Sequence, residues 1–191
     1  MLHLARAGVL HDFIKRNSAL DSCAADGFAS LRRIALEADL RQGLQRQELL
    51  LYYQAVVDEQ GRLTGAEALV RWRHPQRGMV SPGAFIPLAE QTGLILQIGE
   101  WVLHSACMQL VAWEGQERTR GLSMSVNVSA RQFRHPEFVS QVLEVLKATG
   151  AQAGRLKLEL TESLLLNDVE DIIAKMSALK AKGVGFALDD F

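Results

Sequence analysis

The chain places acids or an amide at or near the end of apolar runs in four separate stretches. These are Glu67 in the run 63–72, Asn127 in 122–128, Glu159 with Glu162 around 156–160, and Asp189 with Asp190 after 184–188. In a β/α barrel the functional residues gather at the carboxyl ends of the strands and come from several strands at once. Carboxylates brought together in this way repel unless they share protons or bind cations. An all-oxygen donor set of Asp, Glu and Asn suits Mg²⁺ or Mn²⁺ rather than zinc or copper. Two such ions a few ångströms apart are a common device for hydrolysing phosphodiesters. Each feature has a plainer reading when taken singly: Glu67 as a solvated loop residue, Asn127 as a cap on the next turn, Asp189–Asp190 as a helix N-cap pair. Their recurrence on successive runs is what favours convergence on one mouth.

Around the second run stand Arg71, Arg73 and His74. Arg71 suits bidentate contact with a phosphate, or it is a surface cation beside Trp72. His74, directly before Pro75, reads as a loop histidine rather than a ligand. No histidine pair has metal-ligand spacing, and the chain carries no dinucleotide fingerprint, P-loop lysine or nucleophile elbow. Trp101 and Trp113 fall at helical positions and are expected in the core.

Bulk properties narrow the class. The 191 residues hold 21 Lys and Arg against 22 Asp and Glu, a net charge of −1. That excludes the basic footprint of a polymeric nucleic-acid binder, so an anionic ligand must be met by a few placed cations or metals. The two cysteines, Cys23 and Cys107, are too far apart in sequence to suggest a disulfide framework or a zinc site. Cys107 reads as a small core residue, and a reducing, cytoplasmic compartment is expected. The sequence shows no signal peptide and no evident apolar run of about 18 residues that would span a bilayer.

The elements that must position the acids follow from periodicity. Residues 1–30 have no clear period and read as a tail or linker. Leu31, Ile34, Ala35, Ala38 and Leu44 predict a helix over about 31–46. Two strands, 49–57 and 63–72, are separated by Asp58, Glu59, Gln60, Gly61 and Arg62. A five-residue polar link makes a hairpin, whereas parallel neighbours need a crossover of about a dozen residues. Helices are predicted over 82–91, 94–113, 136–149 (closed by Gly150) and 169–182 (closed by Gly183), with strands at 122–128, 156–160 and 184–188. Strands alternating with helices of this length make βαβ units and a parallel sheet. The last strand is apolar enough to be covered on both faces, yet Phe191 follows it almost at once, which suggests a domain cut short.

Read together, AEALVRWRHP around Glu67-Ala68-Leu69, with LYYQAVV before it and FIPLAEQTGLI, IGEWVL, SVNVSARQF, LELTES and ALDDF after it, resemble the EAL family of cyclic-di-GMP phosphodiesterases over about residues 31–191. The strand LYYQAVV carries Ala55 where that family usually has proline. The resemblance implies an α/β fold, a TIM-like β/α barrel whose first strand is antiparallel, here incomplete and truncated after the fifth strand. It implies hydrolysis of c-di-GMP to pGpG with Mg²⁺ or Mn²⁺. By the same resemblance Glu67, Asn127, Glu159 and Asp189 are metal ligands, and Asp190 serves the second metal or helps to activate water. Arg71 contacts a substrate phosphate, Gln54 lines the substrate pocket, and Glu162 anchors a loop beyond Phe191. The family continues with further strands that supply a lysine, a glutamate and a glutamine, so the chain as given is expected to be inactive. A non-catalytic module that binds c-di-GMP or a protein partner is the alternative, and a homodimer stays open.

Overall fold

The computed structural model describes residues 31–161, 164 and 169–189, without the side chain of Asp189. Glu162, Asp190, Phe191 and the expected tail 1–30 lie outside the described residues. The chain divides into two compact units, Met1–Gln42 and Gly43–Phe191. In the first, residues 31–42 are helical, and this helix (α1) continues to residue 45. Arg41 pairs with Glu37 one turn away at 3.1 Å, an exposed pair of small energetic weight.

The second unit is built on a mixed sheet. Its strands are β1 (Leu49–Val57), β2 (Leu63–His74), β3 (Gly78–Val80), β4 (Ser123–Val128), β5 (Leu156–Thr161) and β6 (Gly185–Asp189). The order is β1-β2-β4-β5-β6, with β3 paired to β2. The β1–β2 pair is antiparallel, as the five-residue link requires, and β2–β4, β4–β5 and β5–β6 are parallel. The sheet is open, and with its helices it has the mixed α/β architecture expected of an incomplete barrel.

The hairpin link is closed by its own aspartate. Asp58 Oδ1 accepts from the amides of Gln60 at 3.0 Å and Arg62 at 2.9 Å, and Oδ2 accepts from Arg62 Nε at 2.7 Å. Such side-chain-to-backbone bonds are why aspartate favours turns.

The helices are α2 (Pro82–Thr92), α3 (Leu94–Glu114), α4 (Ala130–Phe133), α5 (Phe138–Thr149) and α6 (Val169–Lys180). Gly150 ends α5 in the left-handed region, φ 77°, as its sequence position predicts. Three short elements escape sequence reading: β3, with only three residues, α4, with four, and the single 3₁₀ turn Ala153–Arg155. The α4 signal was nonetheless present, since Ser129 and Gln132 have the spacing of a capping box and form one.

Alternation sorts the sheet into two faces. Ala66, Ala68, Met124, Val126, Val128, Leu156, Leu158 and Leu160 are all buried and form the core with Phe85, Ile98, Phe133, Ile172 and Leu179. Trp72 is fully buried too. Its indole nitrogen donates to Glu48 Oε2 at 3.1 Å, and its ring meets the edges of Phe85 and His74 at 5.8 and 5.3 Å. Trp101 and Trp113, expected in the core, are only half-buried. Trp113 instead meets Tyr53 edge-on at 5.7 Å.

His74 is a buried strand end rather than a loop residue. Its Nδ1 accepts from the amides of Gln76 and Arg77, both at 3.1 Å, and so closes the turn into β3. Cys107 is fully buried, as expected, and burial pushes its thiol up to about 11 against a weaker opposing hydrogen bond from Thr149.

One further expectation is corrected. Helix α3 has 21 residues and a mean hydropathy of 1.3 in its most apolar window, so it is long and apolar enough to cross a membrane by length and composition. Its length is legible in the sequence, but the polar residues spaced along it hide how apolar the helix is on average. Its Ile95, Ile98, Val102, Ala106 and Leu110 are buried in the domain core, as in the core helix of a globular fold. Among the described residues the last strand keeps one open face, as an incomplete barrel requires: β6 pairs only with β5, and Leu188 is 58% exposed.

Candidate functional site

Register decides which side chains can meet. Gln54 lies opposite Glu67 in the β1–β2 pair. Glu67 lies opposite Ser125, two residues before Asn127 on the same strand. Asn127 lies opposite Glu159, and Thr161, two residues further on, lies opposite Asp189. Since successive residues alternate between faces, Gln54, Glu67, Asn127, Glu159 and the Asp189 position share one face, opposite the buried apolar row. The two-residue steps carry this row obliquely across the sheet toward the carboxyl ends of the parallel strands, the stagger that barrel geometry requires.

The first contact in that row is direct. Asn127 Nδ2 donates to Glu67 Oε1 at 2.6 Å, although 60 residues separate them in sequence. Asn127 therefore does not cap the following turn; Ser129 does, accepting from the Gln132 amide at 3.2 Å. Glu67 is a strand residue, half-buried, and not a solvated loop acid.

Arg71 follows Glu67 on the same face of β2, about 13 Å further along the strand. Its guanidinium sits 5.7 Å from the centre of the Tyr52 ring and donates to the Val70 carbonyl at 2.9 Å. No carboxylate neutralises it among the described residues. A cation held by an aromatic face and one carbonyl keeps donors for a phosphate. Behind the strand ends lies a cavity of about 280 Å³, lined by Arg71, Asn127 and Thr161 together with Ile86, Ile95 and Gln132.

No group of three His, Cys, Asp or Glu side chains gathers among the described residues. The described part of the row contributes two acids, Glu67 and Glu159, with the amide of Asn127 between them. Asp189 has its backbone in β6, and Asp190 and Glu162 fall outside the described residues. The donors of this row are carboxylate and amide oxygens without thiolate or imidazole. That chemistry fits Mg²⁺ or Mn²⁺ and does not favour a softer metal.

Fold and register together define a β/α-barrel-type domain with a row of oxygen-donor residues on one face of its sheet. The model of the EAL domain family matches residues 37–191, and the chain belongs to that family.

Its relatives agree. A bifunctional diguanylate cyclase/cyclic di-GMP phosphodiesterase of Pseudomonas aeruginosa, MucR, is 44% identical over 161 residues, covering 83% of this chain and 23% of the relative. A second cyclic di-GMP phosphodiesterase of that organism is 38% identical over 176 residues, covering 92% of this chain and 29% of the relative. The chain thus spans less than a third of these relatives.

Among solved structures, the MucR phosphodiesterase in complex with c-di-GMP superposes with a TM-score of 0.75 at 44% identity, covering 81% of this chain and 62% of that one. The EAL enzyme Bd1971, bound to cAMP and cyclic-di-GMP, gives 0.79 at 32% identity, covering 85% and 45%.

Proposed function

We propose that this EAL domain carries the phosphodiesterase chemistry of its relatives and cleaves c-di-GMP to linear pGpG with Mg²⁺ or Mn²⁺. The observation that carries the reading is the register that sets Gln54, Glu67, Asn127, Glu159 and Asp189 on one face of the sheet, rising toward the strand ends. Every ligand position that the family uses within this stretch is filled by an oxygen donor.

In this reading Glu67, Asn127, Glu159 and Asp189 hold the ions, and Asp190 serves the second ion or takes a proton from the attacking water. Bound ions of this kind stabilise developing phosphoryl charge and lower the pKa of water. The chain's own residues do the rest. The Asn127 amide fixes the orientation of the Glu67 carboxylate. Arg71 offers its guanidinium to a phosphate, Gln54 lines the substrate pocket, and Glu162 anchors the loop past Phe191. Water adds to one phosphorus, the bond from that phosphorus to the ribose 3′ oxygen breaks, and the departing oxygen takes up a proton. The product is a linear dinucleotide with a 5′ phosphate.

The second reading, a module that binds c-di-GMP or a protein without cutting, is favoured for the 191-residue polypeptide by its open sheet. Among the described residues the wall beyond β6 is absent, and multi-ion sites need ligands placed within about half an ångström. Removing one transition-state donor typically costs about 10²–10³ in rate.

The 191-residue polypeptide is therefore expected to cleave c-di-GMP at least about tenfold more slowly than the MucR phosphodiesterase domain. Chromatographic detection of pGpG with Mg²⁺ or Mn²⁺ tests both statements. Turnover within tenfold of the MucR domain overturns the second. Absence of both turnover and Mn²⁺ binding in a folded sample counts against the first.

A further inference from the structure

Directly after Asn127 the chain turns through a closed ring of hydrogen bonds. Gln132 Oε1 accepts from the Ser129 amide at 3.1 Å and from Ser129 Oγ at 2.8 Å, while Ser129 Oγ accepts from the Gln132 amide at 3.2 Å. Gln132 is buried, 8% exposed, and it lies against α3 at Gly99. A Cβ at Gly99 would fall 1.6 Å from Gln132 Nε2 and 2.6 Å from its Cδ. No side chain fits there unless Gln132 leaves. Glycine within a helix costs about 0.5–1 kcal/mol relative to alanine, so its presence here is explained by the room it makes. Both residues line the cavity of about 280 Å³ that reaches Asn127. A displaced Gln132 therefore has somewhere to go without unfolding the domain.

We infer that Gly99 is a positioning residue for the candidate site: by leaving space on α3 it seats Gln132, whose ring with Ser129 fixes the chain just past Asn127 and so aims the Asn127 amide at Glu67. The inference rests on the reading of Asn127 and Glu67 as ligands, and it deepens that reading by naming what holds them in place. The path is short and physical. Gly99 touches Gln132, Gln132 bonds Ser129, Ser129 is two residues from Asn127, and Asn127 bonds Glu67. Loss of the ring frees the turn, and a shift of about 1 Å at the turn is enough to break a 2.6 Å hydrogen bond.

The test reads the Asn127 side-chain amide in a ¹⁵N spectrum of the 191-residue chain, assigned by its loss in Asn127→Asp, with its hydrogen-exchange rate. Gly99→Ala is expected to shift that signal and to speed its exchange about tenfold or more. Gln132→Ala is expected to do the same. The double variant should be no worse than Gln132→Ala alone, because the added methyl then meets nothing; coupled residues give such non-additivity. Gln132→Glu keeps the acceptor for Ser129 and is expected to preserve the parent signal, which a general loss of packing would not allow.

If Gly99→Ala does not fold, folding of the double variant supports the clash with Gln132, and failure of both overturns it. A parent-like Asn127 signal in Gly99→Ala, or additive effects in the double variant, also overturns the inference. Mn²⁺ titration of the parent is a separate arm: no Mn²⁺ binding removes the metal reading, while the Asn127 signal alone decides the role of Gly99.

Discussion

Asn127 and Glu67, one on β4 and one on β2, are joined by a 2.6 Å hydrogen bond from amide to carboxylate. Asn127 is exposed, so the bond contributes little to folding, and its value lies in orientation. Asn127→Ala is therefore expected to lower Mn²⁺ affinity about tenfold or more while leaving the melting temperature nearly unchanged, since exposed substitutions usually stay within about 0.5 kcal/mol. Calorimetric titration and a thermal melt measure the two effects. A variant that binds Mn²⁺ as the parent does removes Asn127 from the site.

Arg71 gives a different signature. Its guanidinium is held by Tyr52 and the Val70 carbonyl, with no acidic partner among the described residues. A hydrogen bond to a charged group is worth about 1.5–3 kcal/mol. Arg71→Ala is expected to weaken c-di-GMP binding by about 10- to 100-fold and to leave Mn²⁺ affinity intact. Arg71→Lys should recover only part of the loss, because lysine lacks the planar fork. Equal c-di-GMP affinity in parent and Arg71→Ala sinks the assignment.

The hairpin and the parallel units were legible, and the acids and amide of the candidate row stood out, because each leaves a local trace. Five polar residues between two apolar runs permit little but a turn, and acids within or near apolar strands stand out against their surroundings. What stayed hidden depended on distance. The bond between Asn127 and Glu67 comes from inter-strand register, which no single strand encodes. His74 looked like a loop residue because Pro75 follows it, yet its ring accepts two backbone amides and is buried. The space at Gly99 is set by Gln132, 33 residues later in the chain.

Trp72 is the clearest stability test. It is fully buried between Phe85 and His74, and its indole N–H is satisfied by Glu48. Trp72→Ala removes the ring and leaves a cavity, at a cost of about 3–5 kcal/mol. Trp72→Phe keeps most of the packing but strands no donor, so it should cost clearly less. Chemical denaturation of the two variants measures the difference. A Trp72→Ala loss below about 1 kcal/mol would show that this part of the core is not packed as described.

The β1–β2 hairpin carries a pH dependence whose sign is fixed. The Asp58 carboxyl is held below its ordinary value of 3.8, first by the backbone amide of Arg62; desolvation opposes this, and the Arg62 side chain and the Gln60 amide add to the lowering. A carboxyl whose folded pKa is depressed stabilises the fold when ionised. Its contribution is complete above the ordinary carboxylate value and is lost as pH falls through the lower, folded value. Asp58→Asn lacks that charge at every pH. The difference in melting temperature between parent and Asp58→Asn should therefore be constant from about pH 7 to pH 5 and shrink toward zero below about pH 4. Other titrating groups affect both proteins alike and cancel in the difference. The Asp58–Arg62 pair at 2.7 Å lies at the surface, with Arg62 exposed, and is screened by salt. The difference should accordingly be small and should diminish further in 1 M salt. A gap that grows on acidification would mean that Asp58 is not stabilised in its charged form, and that the link is closed by its backbone bonds alone.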